Sequence, residues 1–153
     1  MRGKFITVGS LLGFFLFCLL FFLTGSAGAT EKKGVIVPST TNEQSQDTDV
    51  DVSDNSGGYV YGIFVEPSSN PLIKLTINAN VKGTATNSTG DSYAYGIYSW
   101  DRAINQLIIN QNGSISANAT GNNAVAEGVD AYSIGSFTNT GSISANATGN
   151  DAE

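Results

Sequence analysis

One ten-residue stretch, GSISANATGN, occurs twice in this chain of 153 residues, at 113–122 and again at 141–150. Exact repetition is typical of a solenoid, because one repeat cannot bury its apolar face alone whereas stacked repeats can. Within each copy, isoleucine and alanine alternate with serine and asparagine. Such alternation gives a β-strand one apolar and one polar face. The repeat therefore predicts short strands stacked around a narrow, alanine-rich core.

A second motif supports the same interpretation. Three segments share a central glycine: YVYGIF at 59–64, YAYGIY at 93–98 and VAEGVD at 125–130. Each is followed, after a gap, by a run related to GSISANATGN, and nothing after residue 58 shows helical periodicity. Stacking in register would place Ile115 beside Ile143 and Ala117 beside Ala145. The pattern predicts an all-β fold, a right-handed parallel β-helix (β-solenoid) of about three coils over 59–153, incomplete at its C-terminal end.

The gap between the two motifs varies in length. The spacing from Ile109 to Ile115 equals that from Phe137 to Ile143, which aligns Phe137 with Ile109. This alignment leaves the extra residues of one coil within YSWDRAINQ at 98–106. We therefore expect insertions to collect on one side of the stack, where variable loops project.

The chain begins with a segment typical of a secretory signal peptide. Two basic residues precede an apolar run at 11–23, and Ala27 and Ala29 fit a small-x-small cleavage site. The alternative is an uncleaved membrane anchor, because the uncharged stretch 5–23 is long enough to cross a bilayer. We expect a helical signal peptide at 1–29, cleaved at Ala27 and Ala29.

Charge and composition narrow the chemistry of the remaining chain. Removing 1–29 takes two of the seven basic residues and none of the thirteen acidic ones, which leaves 5 − 13 = −8. This charge repels nucleic acid and anionic lipid, so we expect no nucleic-acid partner and membrane association only through the export signal. The single cysteine lies within 1–29 and the chain has no histidine. We predict a non-catalytic protein without a cofactor or a metal site.

Residues 30–58 are polar and acidic, with one short apolar patch at 35–37. So little apolar surface does not offset the entropy of ordering the segment, which predicts a flexible, disordered acidic linker. Four aspartates between 47 and 54 are spaced as D-x-D-x-D-x-x-D. The array lacks the glycine and glutamate that a helical calcium loop requires, so we interpret it as solvated charge.

The repeats resemble those of bacterial autotransporter-type β-helix passengers, which have the form A-x-G-I, a loop, and N-x-G-x-I-x-A-x-A-x-G. The residues that carry the resemblance are AYGI at 94–97, NGSISA at 112–117 and GSISA at 141–145. The resemblance implies an exported adhesin or surface-display module, secreted or held at the bacterial outer membrane, with a C-terminal translocation barrel. No barrel pattern follows the repeats, so we expect an N-terminal fragment of a longer reading frame that lacks the translocation domain.

Three alternatives remain open at this point. The chain also resembles trimeric autotransporter adhesin heads, whose glycines recur about every seven residues, as Gly121, Gly128 and Gly135 do. It could instead be the N-terminal coils of a carbohydrate-active β-helix enzyme, which would need carboxylates poised together in coils beyond Glu153. A truncated chain without independent function is the third alternative.

Aromatic side chains form the candidate binding surface. Tyr61 is followed in the next two coils by Tyr95 and Glu127, and a charge in this column predicts that the column faces solvent. Exposed rings can stack on sugars, although a cross-strand aromatic ladder that only stabilises the sheet is the alternative. The expected partner is a host or environmental glycan or surface protein. The predicted ligand-stacking surface consists of Tyr93, Tyr95, Tyr98 and Trp100.

Overall fold

The computed structural model describes residues 30–153. The predicted signal peptide, with its cleavage site at Ala27 and Ala29, lies outside the described residues. Within 30–153 there are thirteen strands, and no helix is long and apolar enough to cross a membrane.

The strands form three parallel sheets, each of which takes one strand from every turn of the chain. Sheet A contains β1 (Thr30–Val37), β4 (Gly58–Val65), β7 (Ser92–Ser99), β10 (Asn123–Ala131) and β13 (Asp151–Ala152). Sheet B contains β2 (Glu43–Gln46), β5 (Lys74–Ile77), β8 (Ile104–Ile109) and β11 (Ile134–Asn139). Sheet C contains β3 (Val50–Asp54), β6 (Asn80–Thr86), β9 (Ser114–Thr120) and β12 (Ser142–Thr148). The described chain is a β-solenoid of about four turns, here coils 1 to 4, each running from sheet A through B to C.

Equivalent side chains of successive coils lie one above another. Ile115 pairs with Ile143 and Ala117 with Ala145, which confirms the predicted stacking. The wide part of the interior is aliphatic, and the narrow part contains mostly alanine. Ile97 and Ile115 are fully buried within the single chain, so closing this interior requires no trimer. Right-handed winding stays a prediction.

Strands β4 and β7 of sheet A bend at their central glycines. The rings of Tyr61 and Phe64 lie on the same side of β4, with centroids 5.3 Å apart, while Val60 and Ile63 are both fully buried in the core. Positions three apart face opposite sides of a straight strand, so β4 must turn at Gly62. A Cβ at Gly62 would lie 2.6 Å from a carbonyl oxygen of the next coil, and only glycine leaves that room.

Residues 30–58 form coil 1 and its corners, so the prediction of a disordered linker was wrong. Strands β1, β2 and β3 pair in parallel with β4, β5 and β6. The apolar patch at 35–37 contributes Val37 to the core, and Val35 packs against it. The rest is ordered by backbone hydrogen bonds to coil 2, which do not depend on apolar side chains. The solenoid therefore includes these three strands and has about four coils instead of three.

The predicted alignment of Phe137 with Ile109 was wrong by two residues. Phe137 pairs with Leu107, and Ile109 pairs with Asn139. A shift of two residues keeps the same set of side chains facing inward, so the alternation in the sequence cannot detect it. The extra residues of coil 3 are shared between 100–103, at the corner between sheets A and B, and 110–113, between B and C.

The corner between sheets A and B varies most in length and is called the loop corner below. Its four successive loops are 38–42, 66–73, 100–103 and 132–133. Variable loops at a corner of a rigid solenoid are common sites of binding, because the scaffold positions them without depending on their sequence. The loop corner and the adjoining outer face of sheet A are therefore the candidate region for a functional site.

Candidate functional site

Six aromatic rings cover the outer face of sheet A across coils 2 and 3. This outer aromatic cluster consists of Tyr59, Tyr61, Phe64, Tyr93, Tyr95 and Tyr98. Tyr59 stacks on Tyr93 with ring centroids 4.6 Å apart, and Tyr61 stacks on Tyr95 at 5.4 Å. The ring faces are thus occupied by neighbouring rings, as in a cross-strand ladder.

The tyrosines at the centre of this cluster are not exposed, contrary to the prediction for their column. Tyr61 is 4% exposed and Tyr95 is 9% exposed, whereas Glu127 in the same column is exposed. The bend at the central glycine folds Phe64 and Tyr98 over them, with ring centroids of Tyr61 and Tyr98 4.8 Å apart. Burial raises the pKa of Tyr61 and of Tyr95 well above the ordinary value, so both phenols stay neutral.

Charged residues flank the outer aromatic cluster on both sides. In coil 1, the Lys33 ammonium lies 3.7 Å from the centroid of the Phe64 ring, a cation–π contact. In coil 4, burial raises the pKa of Glu127 and of Asp130, with a further contribution to Glu127 from Asp130. The Lys33 contact stabilises the surface of the sheet, and the burial of Tyr61 and Tyr95 leaves little of the central rings free for a ligand.

Trp100 lies apart from that cluster, at the loop corner. It follows β7 and is 62% exposed, and Tyr132 follows β10 at the equivalent position of coil 4 and is 73% exposed. Both rings line a cleft of about 360 Å³ together with Asp101, Asp130 and Ala131. We call this space the corner cleft. It combines two aromatic side chains with two carboxylates.

A second hollow adjoins the corner cleft. It has a volume of about 460 Å³ and shares Asp101 and Tyr132 with the corner cleft. Its other walls are formed by Ser68, Ser69, Pro71, Ala103 and Asn105. The two spaces together are lined by residues with aromatic, hydroxyl, amide and carboxylate groups.

A buried arginine fixes the loop that carries Trp100. The Arg102 side chain is fully buried, and its Nε donates to the Asn70 carbonyl at 2.9 Å. Its two terminal nitrogens donate to the carbonyls of Pro38, at 2.9 Å, and Thr41. The Ser99 hydroxyl donates to the Arg102 carbonyl at 2.6 Å. The loop tip at 100–101 is thus held between two anchored residues.

The sequence prediction located one residue of this site and missed another. Trp100 lines the corner cleft, whereas Tyr93, Tyr95 and Tyr98 belong to the outer aromatic cluster. Tyr132 was missed, although the sequence carries the signal. It stands four residues after Gly128, as Trp100 stands four residues after Gly96.

Asp47 and Asp49 lie at the corner between β2 and β3, away from the loop corner, and both accept hydrogen bonds. Asp47 accepts hydrogen bonds from Asn78 at 2.5 Å and Ser45 at 2.9 Å, which lower its pKa. Asp49 accepts the backbone N–H of Asn80 at 2.9 Å. Within residues 30–153, no group of three or more potential metal-ligating side chains is present. Asp47 and Asp49 thus connect coil 1 to coil 2.

Comparison of the chain with protein-family models, with curated proteins and with solved structures finds no match. The class of protein therefore follows from the fold alone. This chain is a β-helix repeat protein.

Proposed function

We propose that this chain is a non-catalytic adhesion or display segment of an exported β-solenoid protein, of the autotransporter passenger type, and that it binds its ligand at the corner cleft. The observation that carries the proposal is the exposed indole of Trp100 on a loop fixed by the buried Arg102. Together with Tyr132 it forms an exposed aromatic pair in a cleft with polar groups, and loops held by a rigid scaffold are common sites of binding.

The regularity of the fold supports a role in presentation. Parallel strands of successive coils build a rigid column, and the loop corner varies in length from coil to coil. Such a column holds loops away from the surface to which it is attached. Each coil packs only against the coils next to it. Rigidity favours binding because less conformational freedom is lost when a ligand is captured.

The export part of the proposal rests on the N-terminal sequence. A basic start, an apolar run and the small residues Ala27 and Ala29 define a cleavable signal. We expect protein recovered from the medium or the surface of a Gram-negative host to begin at Thr30. Recovery only from the inner membrane, with residues 1–29 still attached, would contradict export.

A second candidate function is glycoside hydrolysis, because Asp101 and Asp130 line the same cleft. Glycosidases use two carboxyl groups, and the acid has a raised pKa; burial raises the pKa of Asp130. We favour binding because the cleft is open at the surface, whereas hydrolysis profits from the exclusion of bulk water. Release of reducing ends from neutral polysaccharides, abolished in Asp130→Asn, would favour the enzyme.

The adhesion proposal is tested by presenting the purified full chain to arrays of glycans and of extracellular-matrix proteins. We expect binding that is lost in the double variant Trp100→Ala/Tyr132→Ala. Phe137→Ala is the matched control, because Phe137 is also an exposed aromatic residue but lies on β11, outside the residues that line the corner cleft. Binding to neither array, or equal binding by the double variant, would contradict the proposal.

A further inference from the structure

We infer that the corner cleft binds a neutral pyranose, with the apolar face of the sugar ring on the indole of Trp100 and its hydroxyl groups donating to the carboxylates of Asp101 and Asp130. This inference rests on the proposed function and names the class of its ligand.

The first step concerns the aromatic walls. A pyranose ring has one face made of C–H groups, which can cover the exposed indole and remove apolar surface from water. Trp100 follows the end of β7 directly, and Arg102 and Ser99 fix its loop. The backbone that carries the ring is thus fixed before a ligand arrives, which lowers the entropy lost on binding. Tyr132 supplies a second exposed ring one coil further along.

The second step concerns the carboxylates. An ionised carboxylate only accepts hydrogen bonds, and the hydroxyl groups of a sugar can donate them. Asp101 and Asp130 both line the cleft that holds the indole. A ligand that is rich in hydroxyl groups therefore suits this wall better than an apolar or aromatic ligand does.

The third step separates neutral from charged sugars. No lysine or arginine lines the corner cleft among the residues described, and Arg102 points its guanidinium at the backbone carbonyls of Pro38 and Asn70. Two carboxylates without a basic residue repel uronic, sialic and sulfated sugars. The side chains of Ser68, Ser69 and Asn105 in the adjoining hollow are neutral donors and acceptors. These neutral groups favour the binding of a second sugar ring in the adjoining hollow over the binding of a simple cation.

The experiment uses the fact that Trp100 is the only tryptophan in the chain. The full chain, kept in solution by a detergent without a sugar headgroup, is titrated with cellobiose, maltose and lactose while indole emission is recorded. We expect a saturable blue shift with at least one of them. Binding should weaken at least tenfold in Tyr132→Ala and in Asp101→Ala, and remain unchanged in Phe137→Ala. Trp100→Ala has no tryptophan emission, so its binding of the disaccharides is measured by calorimetry. Circular dichroism checks that each variant is folded.

The same titration is carried out with three charged compounds: sialyllactose, galacturonic acid and tetramethylammonium. Tighter binding of any of these than of the neutral disaccharides would overturn the inference. Binding to matrix proteins on the array that depends on Trp100, without binding to any sugar, would also overturn the inference. It would leave the proposed adhesive function in place. Array binding that is unchanged in Trp100→Ala would contradict both the inference and the assignment of the binding site to the corner cleft. The inference is supported if a neutral disaccharide causes a saturable change in indole emission and if this change is lost in Tyr132→Ala and in Asp101→Ala.

Discussion

The guanidinium of Arg102 donates a hydrogen bond of 2.9 Å to the carbonyl oxygen of Pro38, which lies 64 residues earlier in the chain and two coils away. The same side chain donates to Asn70 in the intervening coil and to Thr41 in the first. One residue thus connects the loop corners of three successive coils. The arginine that anchors the candidate site also stabilises the solenoid.

Replacing this arginine should destabilise the protein. We expect Arg102→Met to lower the free energy of unfolding by about 3 kcal/mol, because three carbonyl groups lose their donor. Arg102→Lys should also be destabilising, since one ammonium cannot replace the planar arrangement of donors. Urea unfolding followed by circular dichroism measures both. Lys82→Met is the control, because the Lys82–Asp51 ion pair is exposed and worth less than about 1 kcal/mol. Equal losses at both positions would contradict a special role for Arg102.

The duplicated decapeptide provides a pair of identical local sequences in different environments. Ile115 is fully buried between coils, whereas its repeat partner Ile143 is 38% exposed on β12. We expect Ile115→Ala to cost about 3 kcal/mol and Ile143→Ala less than about half of that. Equilibrium unfolding in urea measures the difference. Equal costs would show that local sequence, and not stacking between coils, determines the stability of this strand.

The central glycine of β4 should not tolerate a side chain. In Gly62→Ala, the new Cβ would lie 2.6 Å from the Gly96 carbonyl oxygen and 2.6 Å from the Val81 side chain. We expect a loss of about 2 kcal/mol or more, since neither the backbone nor the packed valine can move freely. Gly90→Ala is the matched control, because its new Cβ would meet the end of the flexible Asn87 side chain. A thermal unfolding midpoint for Gly62→Ala equal to that of Gly90→Ala would refute the steric argument.

Stability at low pH should depend on Asp54. Hydrogen bonds from the hydroxyls of Thr30 at 2.6 Å and Ser56 at 2.7 Å hold the pKa of this buried carboxyl far below its ordinary value. Because the folded pKa lies below the unfolded value of about 3.9, the stabilisation is present above that pH. It is lost as the pH falls from about 4 through the folded pKa.

The measurement for Asp54 compares wild type with Asp54→Asn. We expect the free energy of unfolding of the wild type to fall more steeply than that of the variant between about pH 4 and pH 2. Asp51→Asn is the control, because Asp51 is exposed and its contact with Lys82 is weak. Parallel pH curves for wild type and Asp54→Asn would show that the hydrogen bonds to Thr30 and Ser56 do not perturb this carboxyl in solution.

The stacking of the repeats was predictable because both of its causes are local in the sequence. Alternation in ISANA determines which side chains face inward, and repetition of the same residues determines which ones meet in the next coil. The partnership of Ile115 with Ile143 follows from these two facts. Within the candidate site, the sequence analysis predicted only Trp100. Tyr132 stands as far after its central glycine as Trp100 does after Gly96, so an alignment of the repeats could have found it.

Coil 1 was not predictable from its composition, because its order depends on a neighbour. Its polar strands gain backbone hydrogen bonds from coil 2, and a count of apolar residues does not measure that gain. The exposure of Tyr61 and Tyr95 was mispredicted for a similar reason. Their side chains do point outward, but the bend at the central glycine brings Phe64 and Tyr98 over them.

The sequence by itself determined that residues 59–153 are built of β-strands, which residues of the repeated ISANA segment face the interior, and that the two copies of the decapeptide stack in register. Only the tertiary structure decided that β1, β2 and β3 belong to the stack, which outward-facing rings are covered, and that Trp100 and Tyr132 share a cleft with Asp101 and Asp130. The physical reason is that alternation along one strand specifies only the side on which a residue lies. Its exposure and its partners depend on the coils above and below and on the bend of the sheet.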